Sequence, residues 1–184
     1  MVEFIILGCL KMRDMTGYEI KKTMSFSTTF FSHVSFGSIY PTLKRLEADG
    51  LVTSDESTEN GRLKKSYAIT PDGRKAFDDW LRSPLPQLVI KYDMLVRLFF
   101  ARNLEPERLQ EMITEHIDQL QELSDDLTSV RGGPGQKGDK FQKYTIEFGL
   151  DFYAFLMKWF EKIGADLAAE EAADIESGAE KKIQ

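Results

Sequence analysis

Apolar residues recur at helical spacing three times before residue 50, an alternating stretch folds back about Asn60-Gly61, and helical periodicity dominates from residue 88 onward. These observations predict a mainly α protein. The N-terminal part reads as three helices, a two-stranded hairpin and a fourth helix, the order of a winged helix-turn-helix with a two-stranded wing. The C-terminal part reads as an α-helical dimerisation domain. Ser83-Pro84-Leu85-Pro86 separates the two, so the expected domains are 1–83 and 84–184, the latter with a tail that frays from about residue 165.

Val2 to Met12 is the first helix. It is apolar, but it carries Glu3 and has no basic leader, so it reads as a core helix and not as an export signal. The second helix runs from Thr16 to about Phe26; Thr16 caps it, and Glu19 three positions on closes a capping box. Hydroxyl and β-branched residues from Ser25 to Ser35 disfavour helix and predict a turn with a loop. The third helix extends from about Ser35 to Asp49 and stops at Gly50, turning Ile39, Leu43 and Leu46 inward. If Ser35 caps it, Pro41 lies beyond the first turn, removes one internal hydrogen bond and bends the helix.

In the second arm of the hairpin, Leu63, Lys65, Tyr67 and Ile69 share one face and Arg62, Lys64 and Ser66 the other. Thr70 caps a fourth helix, Pro71 takes its first position, and Ala76, Phe77, Trp80 and Leu81 form its apolar stripe. Residues 88–101 follow, apolar around much of a fifth helix. A sixth opens near Glu105-Pro106. It spaces Leu109, Ile113, His116, Leu120, Leu123 and Leu127 by fours and threes, a coiled-coil-like seam. RGGPGQKG at 131–138 breaks it. The seventh helix, about 139–163, is apolar on two sides: Phe141, Tyr144, Phe148, Phe152, Phe155 and Trp159 on one, Ile146, Leu150, Tyr153, Met157 and Phe160 on another. Such a helix needs two neighbours. The seam, with Phe148, Phe152, Phe155 and Trp159, is therefore expected to join two copies of the chain.

The net charge of -6 is unevenly placed. Residues 1–82 carry +1 and residues 83–184 carry -7, so a nucleic-acid contact is confined to the first part. The single cysteine, Cys9, sits on an apolar helix face, which predicts a core thiol in a reducing cytoplasm. No apolar run has membrane-spanning length. His33 and His116 lie in different parts, and neither a metal-ligand spacing nor a nucleotide-binding loop is present. The expectation is a protein that is not an enzyme and has no cofactor or metal.

A winged helix-turn-helix reads double-stranded DNA with its third helix in the major groove. Gly37 permits close backbone approach, Ser38 and Tyr40 donate to phosphate or base acceptors, and Lys44 one turn on reaches a phosphate. Amides near Ser35 add an anion site. On the wing, Gly61 belongs to the turn, and Arg62, Lys64 and Lys65 cluster just beyond it, within reach of a DNA backbone or minor groove. Asp55, Glu56 and Glu59 on the opposite arm fit an ordinary charged surface hairpin instead. The alternative is a winged-helix protein-interaction or dimer scaffold without operator binding, and salt-dependent promoter binding separates the two.

Three stretches, ILGCLKMRDMTGYEIKK (6–22), VSFGSIYPTLKRLEADGLVTSD (34–55) and GRLKKSYAITPDGRKAF (61–77), resemble the PadR family of bacterial transcriptional regulators. The resemblance extends more loosely through the second part, where the family's longer members carry a helical dimerisation domain. It implies a winged-helix homodimer on an inverted-repeat operator, usually a repressor, often released by a small molecule. By position, Ser35, Gly37, Ser38, Tyr40, Pro41 and Lys44 match the family's recognition-helix motif, and Gly61, Arg62, Lys64 and Lys65 its wing. Leu63 and Phe36 depart from it, each standing where proline is frequent. For a small aromatic effector the chain offers Trp80, Tyr92 and Phe99, aromatic residues on either side of the SPLP junction.

Overall fold

The computed structural model describes residues 1–27, 36–59 and 62–180, and the chain divides into two units, Met1–Gln87 and Leu88–Gln184. The first unit contains α1 (Val2–Met12), β1 (Met15–Thr16), α2 (Gly17–Ser27), a 3-10 turn (Phe36–Ser38), α3 (Ile39–Ala48), β2 (Val52–Glu59), β3 (Arg62–Ile69) and α4 (Pro71–Arg82).

Side chains set the ends of these elements. At the start of α2, Thr16 Oγ1 accepts from the Glu19 amide at 3.2 Å, and a Glu19 carboxylate oxygen accepts from the Thr16 amide at 2.9 Å. This is the reciprocal pair of a capping box. The Thr16 amide, with the Arg13 guanidinium 2.9 Å away, holds the Glu19 carboxyl down at about 2. Since folding depresses this value, the stabilisation is complete above about pH 5 and is lost as pH falls toward about 2. Glu19→Gln, which cannot titrate, is expected to flatten the fall in melting midpoint across that window, followed by circular dichroism. An equally steep acid limb in the variant would assign the loss to other carboxylates.

The stop of α3 is a Schellman motif. The Leu51 amide donates to the Leu46 carbonyl at 2.9 Å, the Gly50 amide donates to the Glu47 carbonyl at 3.1 Å, and Gly50 adopts a left-handed φ of 71°. Thr70 Oγ1 donates to the Gly50 carbonyl at 2.8 Å and accepts from the Gly73 amide at 3.0 Å, so the cap of α4 is tied to the stop of α3. Gly73 passes so near that a Cβ there would lie 2.1 Å from the Leu51 carbonyl oxygen.

Two features of the first unit differ from the sequence reading. First, α3 begins at Ile39 and not at Ser35, so Pro41 is its third residue. Amides in that first turn have no partner inside a helix, and Pro41 therefore removes no internal bond and gives no cause for a bend. Second, the wing belongs to a three-stranded antiparallel sheet, order β1-β3-β2. Its third strand falls between the first two helices, where Met15 pairs with Tyr67 and Thr16 with Ser66. β2 pairs with β3 from Val52↔Ile69 out to Glu59↔Arg62.

The core of this unit gathers Ile6, Leu7, Leu10, Ile20, Ile39, Leu43 and Val52, none more than 1% exposed. Cys9 lies in the same cluster, and burial pushes its thiol up to about 11. Trp80 of α4 stacks on Phe4 of α1 with ring centroids 4.8 Å apart.

The second unit contains α5 (Asp93–Phe99), a 3-10 turn (Ala101–Asn103), α6 (Pro106–Gly132), a 3-10 turn (Pro134–Lys137) and α7 (Lys140–Glu180). The fifth helix is shorter than the 88–101 expected. Leu88–Tyr92 is not helical, in keeping with the adjacent β-branched Val89 and Ile90, and Asp93 supplies an acidic first turn. The helix expected to end near 163, with a fraying tail from about 165, instead continues to Glu180. Alanine and glutamate, which dominate that stretch, are strong helix formers. α6 packs on α7, burying Leu109, Ile113, Leu120 and Leu127 together with Ile146, Tyr153, Leu156 and Phe160. Among the described residues, no helix is long and apolar enough to cross a membrane.

Candidate nucleic-acid interface

α3 has one anchored face and one free face. Ile39, Leu43 and Leu46 are buried in the core. Their spacing leaves Tyr40, Pro41 and Lys44 exposed on the opposite side, with Gly37 exposed and Ser38 half-buried in the preceding turn. Ser35 lies outside the described residues. The Tyr40 ring remains 60% exposed although one edge rests on Gly17, the first residue of α2. This arrangement presents a hydroxyl-tipped aromatic, a glycine and an ammonium group along a single helix face, a set suited to phosphate and base-edge acceptors.

The wing splits its basic residues between two faces. Lys64 is exposed, with Ser57 opposite it on β2. Lys65 points the other way. Its ammonium group donates to Glu47 of α3 at 3.2 Å and sits 5.4 Å from the centre of the Tyr67 ring. Glu47 also accepts from the Ser54 hydroxyl of β2. The Ser54 hydrogen bond, followed by that from Lys65, lowers the Glu47 carboxyl, and Glu47 in turn raises Lys65. Lys65 therefore ties the wing to α3 on the face opposite Lys64, as the alternation along the arm read, and the basic cluster expected just beyond the turn is divided between the two faces. Gly61 and the Arg62 side chain lie outside the described residues; the Arg62 backbone opens β3.

Sequence reasoning passed over α2. Tyr18, Lys21 and Lys22 are exposed there, and their i, i+3, i+4 spacing was the signal that they share one face.

In the second unit, the four buried leucine and isoleucine positions of the α6 seam face α7 of the same chain, so they hold the hairpin and are covered by it. Leu123 is 46% exposed. His116 is bonded within the chain as well: Tyr92 Oη lies 2.6 Å from its Nε2, the Phe160 ring meets it edge-on at 4.9 Å, and burial lowers its pKa. What remains outward is the other side of α7. Phe148 and Phe155 are 63% and 61% exposed, Phe152 is 45% exposed, and Trp159 is half-buried against Phe160.

Of the three aromatics offered for an effector, Trp80 is packed in the first unit. Phe99, exposed, pairs edge-on with Phe100. Tyr92 lines a cleft of about 340 Å³ with Arg97, Arg108, Met112 and His116. Both arginines are held by carboxylates, Arg97 by Asp93 at 2.7 Å and Arg108 by Glu111 and Glu115 at 3.0 and 3.1 Å.

Comparison with known proteins agrees with this division. Residues 6–79 match the family model for the transcriptional regulator PadR-like family, and residues 90–168 match that for the virulence activator alpha C-terminal region. The negative transcriptional regulator PadR of Bacillus subtilis (strain 168) is 28% identical over 134 residues, 71% of each chain. The crystal structure of the PadR-like transcriptional regulator BC1756 from Bacillus cereus superposes with a TM-score of 0.83 at 25% identity, over 92% of this chain and 99% of that one. Two structures of Bacillus subtilis PadR share the fold: one in complex with operator DNA (TM-score 0.78, 23% identity, 90% of this chain and 98% of that one) and one in complex with p-coumaric acid (0.73, 21%, 91% and 98%). With a winged N-terminal unit, a helical hairpin after it and matches spanning both, the chain belongs to the PadR-like family of transcriptional regulators.

Proposed function

We propose that two copies of the chain bind an inverted-repeat operator through α3 and the wing, repress transcription there, and let go when a small molecule binds. The observation that carries this reading is the outward face of α3, where Tyr40 and Lys44 are exposed on a helix whose other side is locked into the core and Gly37 is exposed in the turn before it. The acidic second half repels a duplex and so restricts which face docks. Lys21 and Lys22 of α2 suit the helix that crosses the DNA backbone in this motif. The exposed aromatic side of α7 supplies the surface that two copies would share. Bacillus subtilis PadR, solved with operator DNA and with p-coumaric acid, supports both the operator and a small aromatic effector by analogy. The cleft beside Tyr92 is where we place that effector.

Selection of bound sequences from a random duplex pool is the direct test. The expected product is an inverted repeat whose half-sites lie about one helical turn, or a multiple, apart. Lys64→Ala combined with Arg62→Ala should lower the salt slope of binding by about two units, whereas Lys65→Ala, whose partner is Glu47, should change the slope little. An unchanged slope in the Arg62/Lys64 double variant removes the wing from the contact. A scaffold that binds no operator would show neither sequence preference nor salt dependence. For the effector, titration of aromatic carboxylic acids should quench Trp fluorescence and release the operator together. Binding without release would mean the two sites are uncoupled.

A further inference from the structure

Gly17 is buried at the start of α2, and its position is fixed from both sides. The capping box of Thr16 and Glu19 sets the helix entry, and the pairing of Thr16 with Ser66 sets the strand before it. Above this fixed backbone lies the edge of the Tyr40 ring. A Cβ built on Gly17 would stand 2.6 Å from Tyr40 Cε1, 3.0 Å from Cζ and 3.2 Å from the hydroxyl oxygen. The glycine is not there for its backbone freedom, since Gly50 is the one described glycine with positive φ. Alanine fits the conformation and is the better helix former. What the missing side chain provides is a seat for an aromatic ring that is otherwise 60% exposed.

We infer that Gly17 is a positioning residue for operator recognition: by leaving its side of the ring empty, it sets the direction in which Tyr40 presents its hydroxyl. This rests on the reading of Tyr40 as a DNA contact. An added methyl group would meet the far end of a largely exposed side chain and not backbone, so the ring is expected to swing away and the fold to survive. The cost then appears in recognition and not in stability.

The test is a double-mutant cycle on the full chain, using the selected operator and a scrambled duplex. Gly17→Ala should keep the melting midpoint and weaken operator binding on the order of tenfold, the scale of one good polar contact to DNA. Tyr40→Ala should weaken it by at least as much. In the Tyr40→Ala background, Gly17→Ala should then change affinity less than about twofold, because the residue it acts through is gone. A loss that repeats in full in that background would make the role of Gly17 structural and overturn the inference. So would wild-type operator affinity in Gly17→Ala when Tyr40→Ala is weak. If Tyr40→Ala itself binds normally, the reading of Tyr40 fails and the inference with it. Should Gly17→Ala melt lower than the wild type, a double variant that melts with Tyr40→Ala supports the ring as the obstacle, and a double variant that melts below Tyr40→Ala by the same deficit overturns it.

Discussion

Phe155→Asp is expected to convert the protein from a dimer into a monomer at micromolar concentration in sedimentation velocity, while its far-ultraviolet circular dichroism stays helical. In a single chain this ring is 61% exposed, so a carboxylate there meets water and leaves the α6–α7 packing untouched. Between two copies the same carboxylate would be buried without a partner, at a cost of several kcal/mol, roughly. Phe155→Leu keeps the surface apolar and should remain dimeric. The DNA consequence follows from effective concentration. A dimer engages its second half-site as an intramolecular event, so the monomer should lose at least about 100-fold in operator affinity. A variant that still sediments as a dimer would place the interface elsewhere than on the aromatic side of α7.

Gly73→Ala should be the most damaging single methyl group in the first unit. Its Cβ would stand 2.1 Å from the Leu51 carbonyl oxygen. That oxygen already accepts from the Thr70 amide at 3.1 Å, so moving it breaks the joint between the wing and α4. We expect a cost of at least about 3 kcal/mol, the upper range for overpacking, and a fall in melting midpoint on the order of 15 °C. Gly50→Ala is the comparison. It carries only the strain of a left-handed φ, with open space around the new methyl, and should cost about 1 kcal/mol. Equal losses in the two variants would show that the Leu51 backbone yields easily.

Features carried by short-range chemistry were readable from the sequence. The two threonine caps, Pro71 at the first position of α4, the glycine stop after α3 and the break at 131–138 each need only neighbours within a few residues. What escaped depends on residues far away in the chain. β1 is two residues long, too short to show a period, and exists because β3 pairs with it. The alternation along the arm put Lys65 on the face opposite Lys64 but could not name its partner, Glu47, which comes from α3 and is itself held by Ser54 of β2. The α6 seam was read correctly as apolar, but a lone sequence does not say which helix covers it. Leu109, Ile113, Leu120 and Leu127 turned out to be covered from within the chain. Gly17 carried no signal at all, because its importance lies in a ring contributed by α3.

Cys9 has a practical use. The residue is 6% exposed and burial pushes its thiol up to about 11, so at pH 8 little of it is thiolate and the buried side chain meets few reagents. The native chain is thus expected to react slowly with maleimides and methanethiosulfonates without any substitution. A cysteine introduced on the outward side of α7 or on the wing would be the single labelled atom per chain. A spin-label pair or a donor and acceptor attached there would then report the distance between two copies, with and without operator, in a protein whose own thiol needs no removal.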